Sequence, residues 1–442
     1  MRPLKSLTFE AFLATLSQTF INIDDPRMPQ RIRFPLHDVL ISAFAMFFFQ
    51  HPSLLQFQIA MKQRRGRCNL ESIFGVSQLP SQTQLRDIID AADSDSLRQL
   101  LPIFFEKMRR AGWAQDYQSI LSEAGQTTPF YVVALDGTDY FHSQAIACPS
   151  CLERRDKTGE RHFYHTVVAA TLVKANSHKV WPIDAEAVRN QDGYEKQDCE
   201  INAAKRLLPR LRQEHPHLLM LLTGDDLYSR GPFVELCQQD DFSYVLVAKP
   251  DSHKEMMEWV EELDVLGGSQ RGQWVEGVAC KRRYFEYRIV KQVPLNGERR
   301  FYVNYVEVWE KNKSGKQVYH NSFVTNLEVS ADNVAEVVGM GRAKWKIENE
   351  HFNVQKNQGY ELEHNYGHGK QNLSHNFYLL NLLAYVSHKV LERGSQRYQR
   401  IRQTGVSMRE LWNGLRMLMQ RFLLESWGGM LAMYEGEEGG SP

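Results

Sequence analysis

The hydrophobic pattern of this chain changes period twice. Residues 34–49 are apolar on most faces, which predicts a buried helix, and residues 97–108 repeat apolar side chains at helical spacing. Between them, residues 82–92 follow Pro80-Ser81, with Ser81 placed as a helix N-cap. The chain reads as helical up to about Gln126. From Thr128 the helical period gives way to short apolar runs. Residues 130–135 are uninterruptedly apolar, the pattern of a strand covered on both faces. Asp136-Gly137 after them reads as a strand stop and turn. Strands are expected at 165–173 and 179–183, then a helix at 196–214 with Ala203, Ala204, Leu207, Leu208 and Leu211 on one side. A strand at 218–222, a short helix at 232–238 and a strand at 244–248 follow. Three strands ahead of the first helix suggest a hairpin meander to which βα units are added.

The second change comes near residue 270. Strand-like runs at 283–290, 301–309 and 318–325 are joined by turn signals at Leu295-Asn296-Gly297 and Lys313-Ser314-Gly315-Lys316. A long helix is expected at 333–357, and residues 373–427 read as mostly helical. The expected fold class is α/β, a mixed sheet with helices, a β-rich insertion and helical regions at both ends.

Composition narrows the function classes. At 442 residues, two or three units are expected. Hydrophobic residues at 43% and charged residues at 24% exclude wholesale disorder. Lys+Arg and Asp+Glu are both 53, which excludes a uniformly basic nucleic-acid binder but leaves local basic patches open. Two such patches occur. Lys62, Arg64, Arg65 and Arg67 read as a loop, either merely solvated or contacting phosphate, with the two readings evenly weighted. Lys389, Arg393, Arg397, Arg400 and Arg402 face one acid, Glu392, over residues 389–402. The apolar run at 39–49 is too short to span a bilayer, and no signal peptide is evident, so a cytoplasmic protein without membrane partners is expected. Six cysteines are too few for a disulfide scaffold and are expected to be reduced. The acidic, Gly-rich tail from Glu435 to Pro442 is expected to fray.

The candidate chemistry is carboxylate. Asp136 and Asp225 each follow an apolar strand, where α/β sheets gather ligands. Either alone is more simply a turn-capping Asp; two adjacent strands ending this way are harder to dismiss. Glu348 stands on the 333–357 helix, with Trp345 and Ile347 expected to pack and turn it inward. Three converging carboxylates would repel unless divalent cations neutralised them, and hard oxygen ligands favour Mg²⁺ or Mn²⁺. Two ions in such a cluster support in-line displacement at phosphorus.

Several motifs then resemble one family. Leu135-Asp136-Gly137-Thr138, Gly224-Asp225-Asp226-Leu227-Tyr228, Thr325-Asn326-Leu327 and Gly341-Arg342-Ala343-Lys344-Trp345-Lys346-Ile347-Glu348-Asn349 resemble the signatures of DDE transposases of bacterial insertion sequences. The resemblance covers roughly residues 130–360. It implies a ribonuclease-H-like catalytic domain interrupted by a β-rich insertion. Its domains would be 1–126 (helical, DNA-binding), 127–250 with 331–370 (catalytic), 251–330 (insertion) and 371–442 (helical, basic). Asp136, Asp225 and Glu348 would hold two Mg²⁺. The Tyr three positions on selects Asp225 over Asp226. Arg342, Lys344 and Lys356 would lie near the DNA backbone, with Arg64, Arg65, Arg67 and the C-terminal basic helices adding contacts. The activity implied is cleavage at transposon ends and joining to target DNA, by a homodimer on DNA. The sequence departs from the family at Gly341, where a Tyr is usual, at Lys344, where an Arg is usual, and at Gln355, with Lys356 one position on. A non-catalytic DNA-binding protein derived from a transposase, or a nuclease of the same fold, are the alternatives.

Other groups carry weaker signals. Cys148 and Cys151 form one CxxC, two ligands of the four a structural Zn²⁺ needs, with His142 and either His162 or His165 able to complete it. The bland reading is two reduced thiols in a turn. A thioredoxin-like role is disfavoured, because no βαβ unit follows. His364, His368 and His375 read as DNA contacts or loop chemistry rather than metal ligands, since no Cys or acid nearby completes a set. Residues 339–341 lack the features of a nucleotide loop. Asp198 and Glu200 suit a helix N-terminus electrostatically, with a further role for Glu200 left open.

Overall fold

The computed structural model describes residues 7–190, 199–278 and 282–436. The expected first turn of the 196–214 helix, with Asp198, and the tail beyond Gly436 lie outside them. Seven helices come first: α1 Phe9–Ile21, α2 Leu36–Phe48, α3 Leu54–Lys62, α4 Arg64–Phe74, α5 Gln82–Asp90, α6 Ser94–Arg98 and α7 Leu100–Arg110. Then come β1 Gln118–Glu123, β2 Gln126–Ser143, β3 Leu152–Arg155, β4 Arg161–Leu172 and β5 Trp181–Ala187. The βα units are α8 Cys199–Glu214, β6 Met220–Gly224, α9 Gly231–Gln239 and β7 Ser243–Val247. Helix α10 Lys254–Val265 leads into β8 Ser269–Glu276, β9 Arg283–Pro294, β10 Tyr302–Lys311 and β11 Gln317–Thr325. The chain ends in α11 Val334–Arg342, α12 Asn353–Asn357, α13 Leu373–Gly394, α14 Gln396–Gln403, α15 Met408–Arg421 and α16 Trp427–Glu435.

The protein is mixed α/β, and its strands form one sheet in the order β3-β4-β2-β6-β7-β11-β10-β9-β8, with β1 on β2 and β5 on β4. The pairs β2–β6 and β6–β7 are parallel and the rest antiparallel. The apolar runs of β2, β4 and β6 are buried on both faces, as their continuous hydrophobicity predicts. The β-rich segment is not a separate layer: β11 pairs with β7 through Phe323, Val324 and Thr325, so β8 to β11 prolong the same sheet.

Four local expectations are corrected. Asp136-Gly137 does not end its strand: β2 continues to Ser143 because β4 keeps pairing with it, Asp136 opposite Ala169 and Gly137 opposite Val168. Lys62 to Arg67 is not a loop. Lys62 ends α3, Gln63 is the one intervening residue, and α4 begins at Arg64. Gly66 permits this, since a Cβ there would lie 2.2 Å from the Ala60 carbonyl oxygen. The region before Gln126 is not wholly helical, because β1 pairs with the start of β2. The helix expected at 333–357 is broken by a turn at Ala343 and Lys344, resumes at Trp345 and passes through a π-helical turn, Ile347–Phe352, into α12.

The helices at the two ends of the chain build one body. Phe48 of α2 meets His388, Trp412 and Trp427 at ring distances of 5.1, 5.2 and 5.1 Å. Asn69 donates to the carbonyls of Met419 and Phe422, both at 2.7 Å. The C-terminal basic stretch also forms ion pairs within this body. Lys389 bonds Glu392, Arg393 pairs with Asp116, and Arg397 and Arg400 pair with Glu435. Arg397 and Arg400 thereby tie α14 to α16, and Arg393 ties α13 to the segment before β1.

Candidate active site

Asp136 and Asp225 sit where β2 outlasts β6. The parallel register runs Tyr131 with Met220 to Ala134 with Thr223. Continued two residues, it brings Asp136 level with Asp225, one strand spacing away. Strand β6 stops at Gly224, while β2 runs on past Asp136, which lines a cleft. Asp225 accepts the Leu227 N–H at 3.0 Å, forming the turn that ends the strand. Asp226 faces elsewhere and is occupied: it accepts the Lys249 N–H at 2.6 Å and the Ser252 hydroxyl at 2.5 Å.

A further acid completes the group. Glu200, in the first turn of α8, reaches across Gly137, where a Cβ would lie 2.5 Å from its Oε1. The hydroxyl of Tyr228 donates to Glu200 Oε2 at 3.2 Å, from a fully buried ring packed over Gly224. The Tyr three residues after Asp225 thus holds a carboxylate other than Asp225. A signal for Glu200 was present in the sequence: it is in helical phase with Ala203, Ala204, Leu207 and Leu211, an acid on an apolar stripe.

Glu348 comes from the segment after α11 and is exposed. It lines the same cleft, of about 820 Å³, as Asp136, Asp139, Arg154, Glu200, Lys344, Lys356 and Glu363. It lies in the π-helical turn anchored by buried Ile347 and Phe352. Trp345 does not pack as expected; it is 51% exposed, with the Lys344 ammonium 5.2 Å from its ring centre. Buried Lys344 turns into the cleft, its Nζ 3.3 Å from Asp136 Oδ2. Lys356 lines the cleft and pairs with Glu363 at 2.8 Å. Arg342 does not join them. It bonds Glu310 at 2.8 Å and lies 4.2 Å over the Tyr319 ring, so it fastens α11 to the sheet. Gly341 has a reason of its own: a Cβ there would meet the Phe323 ring at 2.7 Å and Val245 at 2.8 Å, leaving no room for the Tyr usual in the family.

The cleft carries excess negative charge. Its lining holds six carboxyl groups (Asp136, Asp139, Glu153, Glu200, Glu348, Glu363) against three cations (Arg154, Lys344, Lys356). Burial, then the charges of Asp136 and Asp225, push the Glu200 carboxyl up to about 7. Burial likewise raises Asp136; Lys344 opposes this and Asp225 adds to it. Asp136, Glu200 and Glu348 line the cleft and Asp225 ends the neighbouring strand; carboxylate oxygens of this kind are the donors that hard divalent cations prefer.

The remaining candidates fall in two places. Arg64, Arg65 and Arg67 are exposed on the first turn of α4. The histidine expected beside Cys148 and Cys151 is partly corrected. His165 lies 3.5 Å from both sulfurs, but His142 does not approach them and bonds His162 at 2.8 Å. Strand pairing explains this. Phe141 is opposite His165 on the cysteine face, and His142 is opposite Tyr164 on the other. The fourth side chain there is His368, 217 positions from Cys151 in the chain, which no local spacing could indicate. No known family model matches the chain, and no curated protein matches it in sequence.

Proposed function

We propose that this chain is a metal-dependent DNA transposase that cleaves phosphodiesters at transposon ends and joins the freed 3′-hydroxyl to target DNA. The observation that carries this reading is the crowding of Glu200 by Asp136 and Asp225, whose charges add to burial in raising its carboxyl, with Asp136, Glu200 and Glu348 lining one cleft. The strand order β5-β4-β2-β6-β7, three antiparallel strands followed by two parallel ones reached through α8 and α9, supports a ribonuclease-H-like core. Two of the motifs that resemble the transposase signatures contribute to the cleft, through Asp136, Gly137 and Thr138 and through Lys344 and Glu348.

In this reading Asp136, Asp225 and Glu348 hold two Mg²⁺ or Mn²⁺, with Glu200 beside them. Bound there, the ions would activate the attacking oxygen and stabilise the leaving one. The protein's own groups do the rest. Lys344 supplies positive charge beside Asp136, and Arg154 and Lys356 offer cations to the phosphate backbone at the rim. Glu200, with a carboxyl near 7, is the cleft group best matched to holding or releasing a proton at neutral pH. The cleft repels a polyanion on balance, so productive binding of DNA should require divalent cations. The test is incubation of the full chain with a DNA fragment carrying the inverted repeats that flank its gene, plus a plasmid target. Mg²⁺-dependent nicking at the repeats and joined products are expected. Binding without cleavage would leave a non-catalytic DNA-binding protein, and cleavage without joining a nuclease.

A further inference from the structure

Cys148 and Cys151 lie between β2 and β3, His165 on β4, and His368 between α12 and α13. Their donor atoms all fall within 4.8 Å of one another. Sγ to Sγ is 3.8 Å; His165 Nε2 is 3.5 Å from each sulfur; His368 Nε2 is 3.2 Å from Cys151 Sγ and 3.1 Å from His165 Nε2. A tetrahedron with Zn–S of about 2.3 Å and Zn–N of about 2.05 Å has edges of about 3.8, 3.5 and 3.3 Å for S–S, S–N and N–N. The five measured edges follow that order and lie within about 0.3 Å of it. Hydrogen bonding among the four groups does not account for the arrangement. His165 Nε2 has three polar neighbours at 3.5 Å or closer and can donate at most one proton.

We propose that Cys148, Cys151, His165 and His368 bind one structural zinc ion. The surroundings suit it. His368 Nδ1 bonds the Gly369 carbonyl at 3.0 Å, which fixes the tautomer with its Nε2 lone pair toward the sulfurs, the usual support for a metal-bound imidazole. The Cys148 N–H donates to Cys151 Sγ at 3.3 Å. Phe141 packs 5.7 Å from the His165 ring and 4.3 Å from the His368 ring, covering the group in hydrocarbon. Four side chains close the tetrahedron, leaving no open position, so the site is structural rather than catalytic. Thiolate and imidazole ligands select zinc over the Mg²⁺ suited to the carboxylate cleft.

The ion would act as a staple between distant segments. The His368 loop is seated on the N-terminal helices, where Asp90 accepts the backbone N–H groups of Lys370, Gln371, Asn372 and Leu373. Directly after Cys151, Leu152, Glu153 and Arg154 form one wall of the cleft. Zinc would therefore fix that wall to the helical body.

Elemental analysis of the full chain, purified without chelator from zinc-supplied medium, tests this directly. About one zinc per chain is expected in the wild type and in His142→Ala, and close to none in Cys148→Ser. His368→Cys, which keeps a zinc ligand, should retain the metal where His368→Ala loses it. Replacement with Co²⁺ should give the visible bands of a tetrahedral site with sulfur ligands. Wild-type protein without zinc, or Cys148→Ser or His368→Ala with undiminished zinc, overturns the proposal. Because the readout is metal content and spectrum, its failure would not bear on DNA cleavage, nor the reverse.

Discussion

Glu200 illustrates how a single side chain acquires a property its sequence position does not announce. Its carboxyl titrates near 7 rather than 4.5, because it is buried beside Asp136 and Asp225. The folded protein therefore binds this proton more tightly than the unfolded chain. The resulting stability is fully present below about 4.5 and is lost as pH rises through about 7. In metal-free buffer the melting temperature should fall from about pH 5 to pH 8. Glu200→Gln should remove part of that slope and be more stable at pH 8, by up to about 3 kcal/mol. Mg²⁺ should restore the wild type at high pH. A flat melting profile in EDTA would show that the carboxyls do not crowd one another. The neighbouring pair Asp225 and Asp226 makes a second comparison. Asp225→Asn should abolish cleavage and keep DNA binding. Asp226→Asn should keep activity and cost stability, about 1 kcal/mol, since it weakens acceptance from the Lys249 N–H and Ser252 hydroxyl. The reverse ranking in cleavage assays would move the metal ligand by one residue.

At the scale of elements, the segment from α11 to α12 shows why residues adjacent in a motif diverge in role. Arg342 ends α11 and Lys344 lies in the break that follows, so the two are directed to different partners. Lys344 takes the cleft and Arg342 takes Glu310 and Tyr319. Arg342→Ala should lower the melting temperature, by the equivalent of about 1–2 kcal/mol, while leaving the salt dependence of DNA binding unchanged. A reduced salt slope in that variant would return Arg342 to the DNA. Gly341→Ala should destabilise by about 1–3 kcal/mol, measured by denaturant titration, because Phe323 and Val245 leave its Cβ no space. The two basic segments differ in the same way. One forms an exposed first turn of a helix, and the other is built into the packing of α13, α14 and α16.

For the whole molecule, the helices from both ends of the chain and the sheet between them share one hydrophobic core. Removing charge far from the cleft should therefore have separable effects. Replacing Arg64, Arg65 and Arg67 together with Gln should leave folding intact and weaken DNA binding. The log-log salt slope should flatten by about one unit for each phosphate no longer neutralised. An unchanged slope would make that turn merely solvated. Replacing Arg393, Arg397 and Arg400 should instead unfold the helical body at lower temperature, because each is paired across it.

The sequence by itself determined the elements whose cause is local. Continuous apolar runs marked β2, β4 and β6, helical periodicity marked α2, α7 and α8, and Ser81 was found capping α5 as its spacing predicts. It also singled out Asp136 and Asp225, since a carboxylate after an apolar run stands out against hydrophobic neighbours. Tertiary structure decided what depends on partners far along the chain. Whether β2 stops at Asp136 depends on β4, which keeps pairing past it, and not on the turn propensity of Asp136-Gly137. Which basic residues are tied into the fold depends on acids such as Asp116 and Glu435, brought up by folding. Glu200 joined the acids because Gly137 left space and Tyr228 held it there. His368 met Cys151 across 217 positions because two antiparallel strands and a loop seated on Asp90 converge at that point. Hydrophobic periodicity and turn chemistry act over a few residues and can be read in order along the chain. Ion pairing, ligand sets and strand ends are set by neighbours in space, and only the folded chain supplies those.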